Sequence, residues 1–475
     1  MTFSTIRSFV AVVLLASGVS VRAANYYVDV SGKDDASGEI GSPLKSVAAA
    51  VVKAVAGDSI IVKAGIYTCG TPVKLSKSGS SGKPICLVAS AGERPTLDFS
   101  GMALGGSNQG IQLSGSYWYI RGLIIKGAGD NGMLIQGGSN NTVEFCDFLE
   151  NRDSGCQLKG GAADNKIINC DSYYNKDPDE GDADGFSPKM DVGSGNSFYG
   201  CRAWQNSDDG WDGYLRGADN VNTRLENCWC FKNGYNKDGT PGGGNGNGFK
   251  MGGSDDKTLK HNFTLVRCLS FQNRVKGFDQ NNNRGVMTLY NCTAYGNGTN
   301  YSIDGSSSTL TAVNCISSGN GSNSLSGGTQ KTNNLSAAAS NFVTVDPASA
   351  KAPRKADGSL PDITFMHLNA GSDLVDAGTV ITDITYNGLK PDLGCFETGT
   401  VTSIVNLTEL PYGKHVPYSN TAVAQESRHA DYVITVNGRM VGNSSSAYRA
   451  AAGTYVKPLP CGDQRLHVAI GDACR

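Results

Sequence analysis

The chain has 475 residues, a formal net charge of −2, 62 glycines, 39% hydrophobic residues and only 18% charged ones. It is long enough for a large core and more than one domain, and it has no broad basic field, which excludes nucleic acid and anionic membranes as general partners. Glycine at close to twice its ~7% norm, beside that hydrophobic fraction and an internal repeat, reads as a turn-rich β protein rather than a disordered one.

The N-terminus carries Arg7, then an eight-residue apolar run from Phe9 to Ala16, then Val21-Arg22-Ala23 with small residues where a signal peptidase reads. This predicts a secretory signal over residues 1–23. The run is too short for a membrane anchor, which needs about 20 apolar residues, and no later segment is apolar enough to span. Losing Arg7 and Arg22 with the signal takes the net charge from −2 to −4. The expected product is secreted, extracellular or at the cell surface, and monomeric.

Asn25 to Val30 reads as a short strand, and Leu44 to Ala56, opened by Ser42-Pro43, as a helix capping an open end of a core. Ser59 to Ala64, Leu87 to Ala89, Ile111 to Leu113 and Trp118 to Ile125 read as further strands between Gly and Ser. From Phe145 the pattern Cys-x-x-x-x-Asn recurs seven times: Cys146/Asn151, Cys170/Asn175, Cys201/Asn206, Cys228/Asn233, Cys268/Asn273, Cys292/Asn297 and Cys315/Asn320. In five of these an aromatic follows the Cys by three: Tyr173, Trp204, Phe231, Phe271 and Tyr295. The Cys spacings are 24, 31, 27, 40, 24 and 23. A period near 24 with short strands fits one coil of a parallel β-helix, and the Leu framework of a leucine-rich repeat is absent.

Equivalent residues of successive coils then stack about 4.8 Å apart. The Cys column is expected to face inward as free thiols acting as small hydrophobes, and the Asn column to form an internal ladder at a bend. Disulfides are plausible only outside the stack, at Cys69/Cys86 and Cys461/Cys474. The repeat is expected to end near Asn320, with Asp376 to Gly378 and Lys390 to Glu397 closing the far end. Residues 398–475 differ in texture and form a small appendage of unknown role, with a possible hairpin over Tyr432 to Val441. The β-helical domain is assigned to residues 24–397.

Subtracting a 24-residue coil leaves roughly 7, 3 and 16 extra residues on three consecutive coils between Cys170 and Cys268. Insertions on a scaffold are where function is carried. Aligning the coils on Gly155, Gly185, Gly210, Gly248 and Gly277 gives an inward column of Cys156, Phe186, Trp211, Phe249 and Phe278. Alternation turns the next position outward: Gln157, Ser187, Asp212, Lys250 and Asp279. The position before the Gly holds Ser154, Asp184, Asp209, Asn247 and Lys276. Asp184 should therefore lie under Asp209, with Asp208 and Asp212 beside them, and Lys250 between Asp212 and Asp279. Carboxylates this close repel without a counter-ion, and an all-oxygen cluster suits calcium. No His accompanies the cluster, which disfavours zinc.

The phrases Asp184-Gly185-Phe186, Ser207-Asp208-Asp209-Gly210-Trp211-Asp212 and Gly246-Asn247-Gly248-Phe249-Lys250-Met251-Gly252-Gly253 resemble those of the family 9 polysaccharide lyases. The resemblance runs from about Tyr26 to Glu397. It implies an all-β, right-handed parallel β-helix with an N-terminal capping helix, secreted to act on an anionic plant cell-wall polysaccharide (polygalacturonate, pectin). Carried over residue by residue, it makes Asp184, Asp208, Asp209 and Asp212 the calcium ligands and Lys250 the Brønsted base of a pectate lyase.

A base of that kind must be neutral, and an unperturbed lysine has a pKa of about 10.4. Calcium and Lys276 would lower it, whereas Asp212 and Asp279 would raise it, so an alkaline optimum is expected. Lys189 is the rival base, though holding a substrate carboxylate suits it better. Arg216, Lys276, Arg274 and Arg284 are candidates for binding the polyanion. Three other readings compete: a lyase on another uronate polymer, an inverting β-helical glycoside hydrolase using the aspartates, and a non-catalytic polysaccharide-binding solenoid.

Overall fold

The computed structural model describes residues 23–399 and, beyond them, only four short strands; residues 1–22 of the expected 1–23 signal and the Cys461/Cys474 pair lie outside the described residues. Three parallel sheets of 12, 10 and 11 strands form the body. Each full coil gives one strand to each sheet, so strands three apart in sequence pair. Trp118–Arg121 and Ile124–Lys126, expected as one strand, belong to the twelve- and eleven-stranded sheets, because Gly122 at φ 81° turns the corner between them. Glycine takes a left-handed turn at no steric cost, and a Cβ here would meet the Ala89 Cβ at 2.8 Å.

The capping helix is shorter than expected, Val47–Lys53, because Ser46 is the N-cap and its Oγ accepts from Ala49 N at 3.1 Å. Val47, Ala50 and Val51 bury its inner face. No helix among the described residues is long and apolar enough to cross a membrane.

The columns form as the repeat predicts. All seven in-line cysteines are buried free thiols. Each Asn side chain donates to the Asn one coil on: Asn151 to Asn175 at 2.9 Å, Asn175 to Asn206 at 2.8 Å, then Asn206 to Asn233, Asn233 to Asn273 and Asn273 to Asn297, each at 2.9 Å. The last rung is not Asn320, which is exposed; Asn297 donates instead to Asn300 at 3.0 Å. A second ladder, Asn141 to Asn165 to Asn196, runs along another corner.

Three expectations are corrected. The solenoid does not stop near Asn320: Thr329–Lys331 and Asn334–Ala337 add most of another coil, and Asn333 Oδ1 accepts from Cys315 N. The segment after it does not simply close the far end. It runs back along the outward face of the eleven-stranded sheet, where Phe342, Phe365, Leu368 and Leu393 cover Trp204, Phe231 and Phe271. Those aromatics stack with centroids 5.6 and 4.6 Å apart, and a stack of that size needs a lid. Finally, Cys69 is a free thiol, so Cys69/Cys86 is not a bridge. Cys86 lies in the twelve-stranded sheet, whereas Cys69 follows a strand of the eleven-stranded one. In the tail, Tyr432–Ile434 pairs antiparallel with Met440–Asn443, the expected hairpin.

Candidate active site

The ten-stranded sheet sets the site. Its register pairs Cys156 with Phe186, Phe186 with Trp211, Trp211 with Phe249 and Phe249 with Phe278. Inside the coil these rings stack at 4.9, 5.0 and 5.2 Å. A strand's pleat sends the following residues to the outer face, where Gln157 pairs with Ser187, Asp212 with Lys250 and Lys250 with Asp279. The long loops before the glycines then fold over this face. Their walls bury Asp184, Asp208, Asp209, Asp212, Lys189 and Lys250 to between 0% and 8% exposure.

Asp184, Asp208 and Asp209 each bring an oxygen within 4.8 Å of the others. Asp212 stands beside this trio, between the two lysines. Lys250 Nζ lies 3.1 Å from Asp209 Oδ2 and 3.4 Å from Asp212 Oδ1. Lys189 Nζ lies 2.8 Å from Asp184 Oδ2 and 3.5 Å from Asp212 Oδ2. Backbone and hydroxyl donors fix the acids. Asp209 N donates to Asp184 Oδ1, Asn247 N to Asp209 Oδ1 at 2.7 Å, Asn245 N to Asp208 Oδ1 and Tyr214 N to Asp212 Oδ1 at 3.0 Å. Ser154 and Ser187 both donate to Asp184 Oδ2.

Four carboxylates against two ammonium groups leave two negative charges uncompensated, and nearby Asp153 adds to the excess. The protonation equilibria register this strain. Burial, then Asp209 and Asp184, push Asp208 up to about 10. Burial pushes Asp209 up to about 7, with Asp184 and Asp212 adding to the rise against Lys250. Burial also raises Asp184, although Lys189 opposes it. Asp212 alone is lowered: burial works against it, but Lys250 and Lys189 outweigh that. Burial would lower Lys250, yet Asp212, Asp209, Asp184 and Asp208 together hold its proton well above the usual lysine range.

A divalent cation fits these residues. It would balance the two excess charges, the donors are all oxygen, and the buried Asp209 Oδ2 accepts no hydrogen bond.

The other expected residues divide. Lys189 is a member of the acid cluster rather than a free arm. Lys276 is tied to Asp279 at 2.9 Å, which takes Asp279 away from Lys250. Arg216 is exposed and paired with Asp255 at 2.8 Å. Arg274 donates to Gly244 O, behind the loop that carries Asn245 and Asn247. Arg284 donates to Lys257 O and Ser307 O, fastening neighbouring turns. Sequence reasoning missed Tyr214, whose ring centroid lies 5.8 Å from Lys250 Nζ and whose hydroxyl donates to Asp255 at 2.7 Å. It sits two residues past Asp212, outside the aligned columns, and carried no signal.

The family described as "Pel9A-like, right handed beta helix region" matches residues 26–334. The chain belongs to polysaccharide lyase family 9. Within this lyase family, it is 37% identical over 400 residues to pectate lyase L of Dickeya dadantii (strain 3937), covering 81% of this chain and 92% of that one. It is 32% identical over 394 residues to pectate lyase PEL9 of Emericella nidulans, covering 76% and 96%. The crystal structure of pectate lyase Pel9A matches with a TM-score of 0.73 at 36% identity, covering 80% of this chain and 98% of that one. A rhamnogalacturonan lyase matches at 0.63 and 25% identity, over 73% and 97%. This family 9 chain is a right-handed parallel β-helix and a polysaccharide lyase.

Proposed function

We propose that the chain is a secreted, calcium-dependent pectate lyase, monomeric, that cleaves α-1,4-linked polygalacturonate by β-elimination with Lys250 as the base. One observation carries the reading: an amine, Lys250 Nζ, stands 3.1 and 3.4 Å from two acids of a buried cluster that has negative charge to spare. The family relatives named as pectate lyases support the substrate class.

In a uronate chain the C5 proton lies α to the C6 carboxylate and is barely acidic, because its removal adds charge beside an existing negative group. Asp184, Asp208, Asp209 and Asp212 would hold the calcium ion, which would supply positive charge to offset these acids and the uronate carboxylate. Lys250 Nζ, in its neutral form, takes the proton from C5. The C5–H electron pair becomes the C4–C5 double bond, and the C4–O4 pair leaves with O4, which is then protonated. Asp209 and Asp212 aim the amine, and Ser154, Ser187 and Lys189 fix Asp184. Arg216, Lys276, Arg274 and Arg284 remain candidates for binding the polyanion, the last two now with contacts that fasten loops.

Convergence of three carboxylates within 4.8 Å favours a cation over an inverting hydrolase, whose pair stands about 6.5–9.5 Å apart. The likeness to a rhamnogalacturonan lyase keeps one rival, a different uronate backbone. The test is ultraviolet absorbance of unsaturated product from polygalacturonate, with calcium and then with chelator. Product that disappears on chelation is expected. Product only from rhamnogalacturonan would move the assignment, and saturated products would end the lyase reading.

A further inference from the structure

At the corner between the eleven- and ten-stranded sheets, one residue per coil takes the left-handed conformation, and these positions form a column: Gln205 (φ 49°), Lys232 (φ 54°), Gln272 (φ 51°), Gly296 (φ 60°) and Gly319 (φ 73°). The column changes character along its length. Where Gln205, Lys232 and Gln272 project, the corner is ridged. Where glycines follow, it is bare, and a Cβ built on Gly296 would meet nothing within 4 Å. The step from ridge to bare floor leaves a groove of about 630 Å³. That is the size of a site for a small organic ligand.

The groove is chemically one-sided. Lys232 and Arg274 line it and no carboxylate does. Lys232 is exposed and is in no ion pair among the described residues. Lys351 comes in beside it, with Nζ donating to Gln205 Oε1. The half-buried Tyr235 offers a ring, and Gln272 and Asn320 offer amides.

The wall toward the catalytic cluster is the 234–247 loop. Tyr235 and Gly239 line the groove, whereas Asn245 N and Asn247 N, further along the loop, hold Asp208 and Asp209. Arg274 joins the two sides: its guanidinium donates to Gly244 O, and its side chain lies against Gly234 and Gly246.

The geometry points to a second binding site, separate from the acid cluster, for a short stretch of an acidic oligosaccharide: a uronate carboxylate on Lys232 and Arg274, hydroxyls on the Gln272 and Asn320 amides, and an apolar sugar face on Tyr235. The substrate class rests on the pectate lyase reading above. Unlike the acid cluster, this site needs no cation, because its own charge is already opposite to that of a uronate.

The test uses the full chain carrying Lys250→Ala, so that ligand survives, titrated with trigalacturonate in excess chelator. One binding event is expected, weakened at least tenfold by Lys232→Glu in the same background, with an unchanged circular dichroism spectrum reporting the fold. The methyl ester of trigalacturonate should bind at least tenfold more weakly than the acid. No binding in chelator, or binding that ignores either Lys232→Glu or the ester, overturns the site. Unsaturated product from the wild-type chain is scored separately. Product without a chelator-resistant site removes this inference alone, and a chelator-resistant site without product removes the lyase reading while leaving a uronate-binding groove.

Discussion

Asp171 and Asp184 belong to the same coil and are buried alike, yet their surroundings are opposite. Asp171, on the eleven-stranded sheet, receives Arg202 through two parallel bonds of 2.9 and 2.7 Å and Arg354 at 2.6 Å. Burial alone would raise its carboxyl, but Arg354 and Arg202 win and hold it below the usual range. Planar guanidinium forks satisfy a carboxylate completely, and Arg202 spends its remaining donor on Ala350 O and Ala352 O of the covering segment. Asp184, on the ten-stranded sheet, receives an ammonium point charge and two hydroxyls, with further acids at its back. The first cluster is closed by the protein's own cations, and the second is left short of positive charge. A buried acid that the fold completes is structural, and one that the fold leaves incomplete waits for something else.

The contrast can be broken by substitution. Lys250→Ala should lower turnover of polygalacturonate by about 10³-fold or more, within the range a positioned base supplies, while calcium binding persists. Activity near wild type would remove Lys250 as the base. Arg202→Met should cost about 3 kcal/mol in denaturant unfolding, the lower end for breaking a buried pair because Arg354 stays, with activity per folded molecule unchanged. Loss of activity without loss of stability would erase the distinction between the two walls. Asp209→Asn should weaken calcium by about 100-fold, at the upper end of what even an outer partner of a metal ligand costs, as read by calorimetry, with no destabilisation of the metal-free protein.

The smallest effect is a slope. Asp209, raised from 3.8 to about 7, binds a proton in the folded state that the unfolded chain has released. Metal-free stability should therefore be greatest below pH ~4 on account of this group, and fall as pH rises toward about 7. Asp171, lowered, has the opposite sign: its contribution is present above about pH 4 and lost only below it. Saturating calcium should flatten the first slope and leave the second. Melting temperatures from about pH 2 to 8, with calcium and with chelator, measure both.

Much of this was legible because a solenoid turns sequence offset into spatial register. Aligning five glycines was enough to stack Phe186 on Trp211 and Asp212 on Lys250. The second asparagine ladder carries the same signal: Asn141, Asn165 and Asn196 each precede a column cysteine by five, as Asn151, Asn175 and Asn206 follow it. Other features had no such code. The outward aromatics at Tyr173, Trp204 and Phe231 announce a cover, but nothing in a periodic pattern says which aperiodic segment supplies it. Lys189 lies two outward positions beyond Ser187, where the linear pattern offers it as an arm for substrate. Its side chain instead turns to the acids, because a buried carboxylate draws the nearest cation that can reach it.

The cysteine column has a consequence for how the chain must be made. Seven thiols spaced 23 to 40 residues apart are harmless once each is sealed inside its coil. Before that, in a flexible chain, any two of them can meet and join, and among neighbouring pairs the spacings differ in closure cost by only about 0.5 kcal/mol. Coil closure is thus also a race against air. Refolding from denaturant should give a high yield under reductant and a tangle of mispaired chains under a disulfide-forming buffer. Once folded, the seven column thiols should be indifferent to which of the two surrounds them.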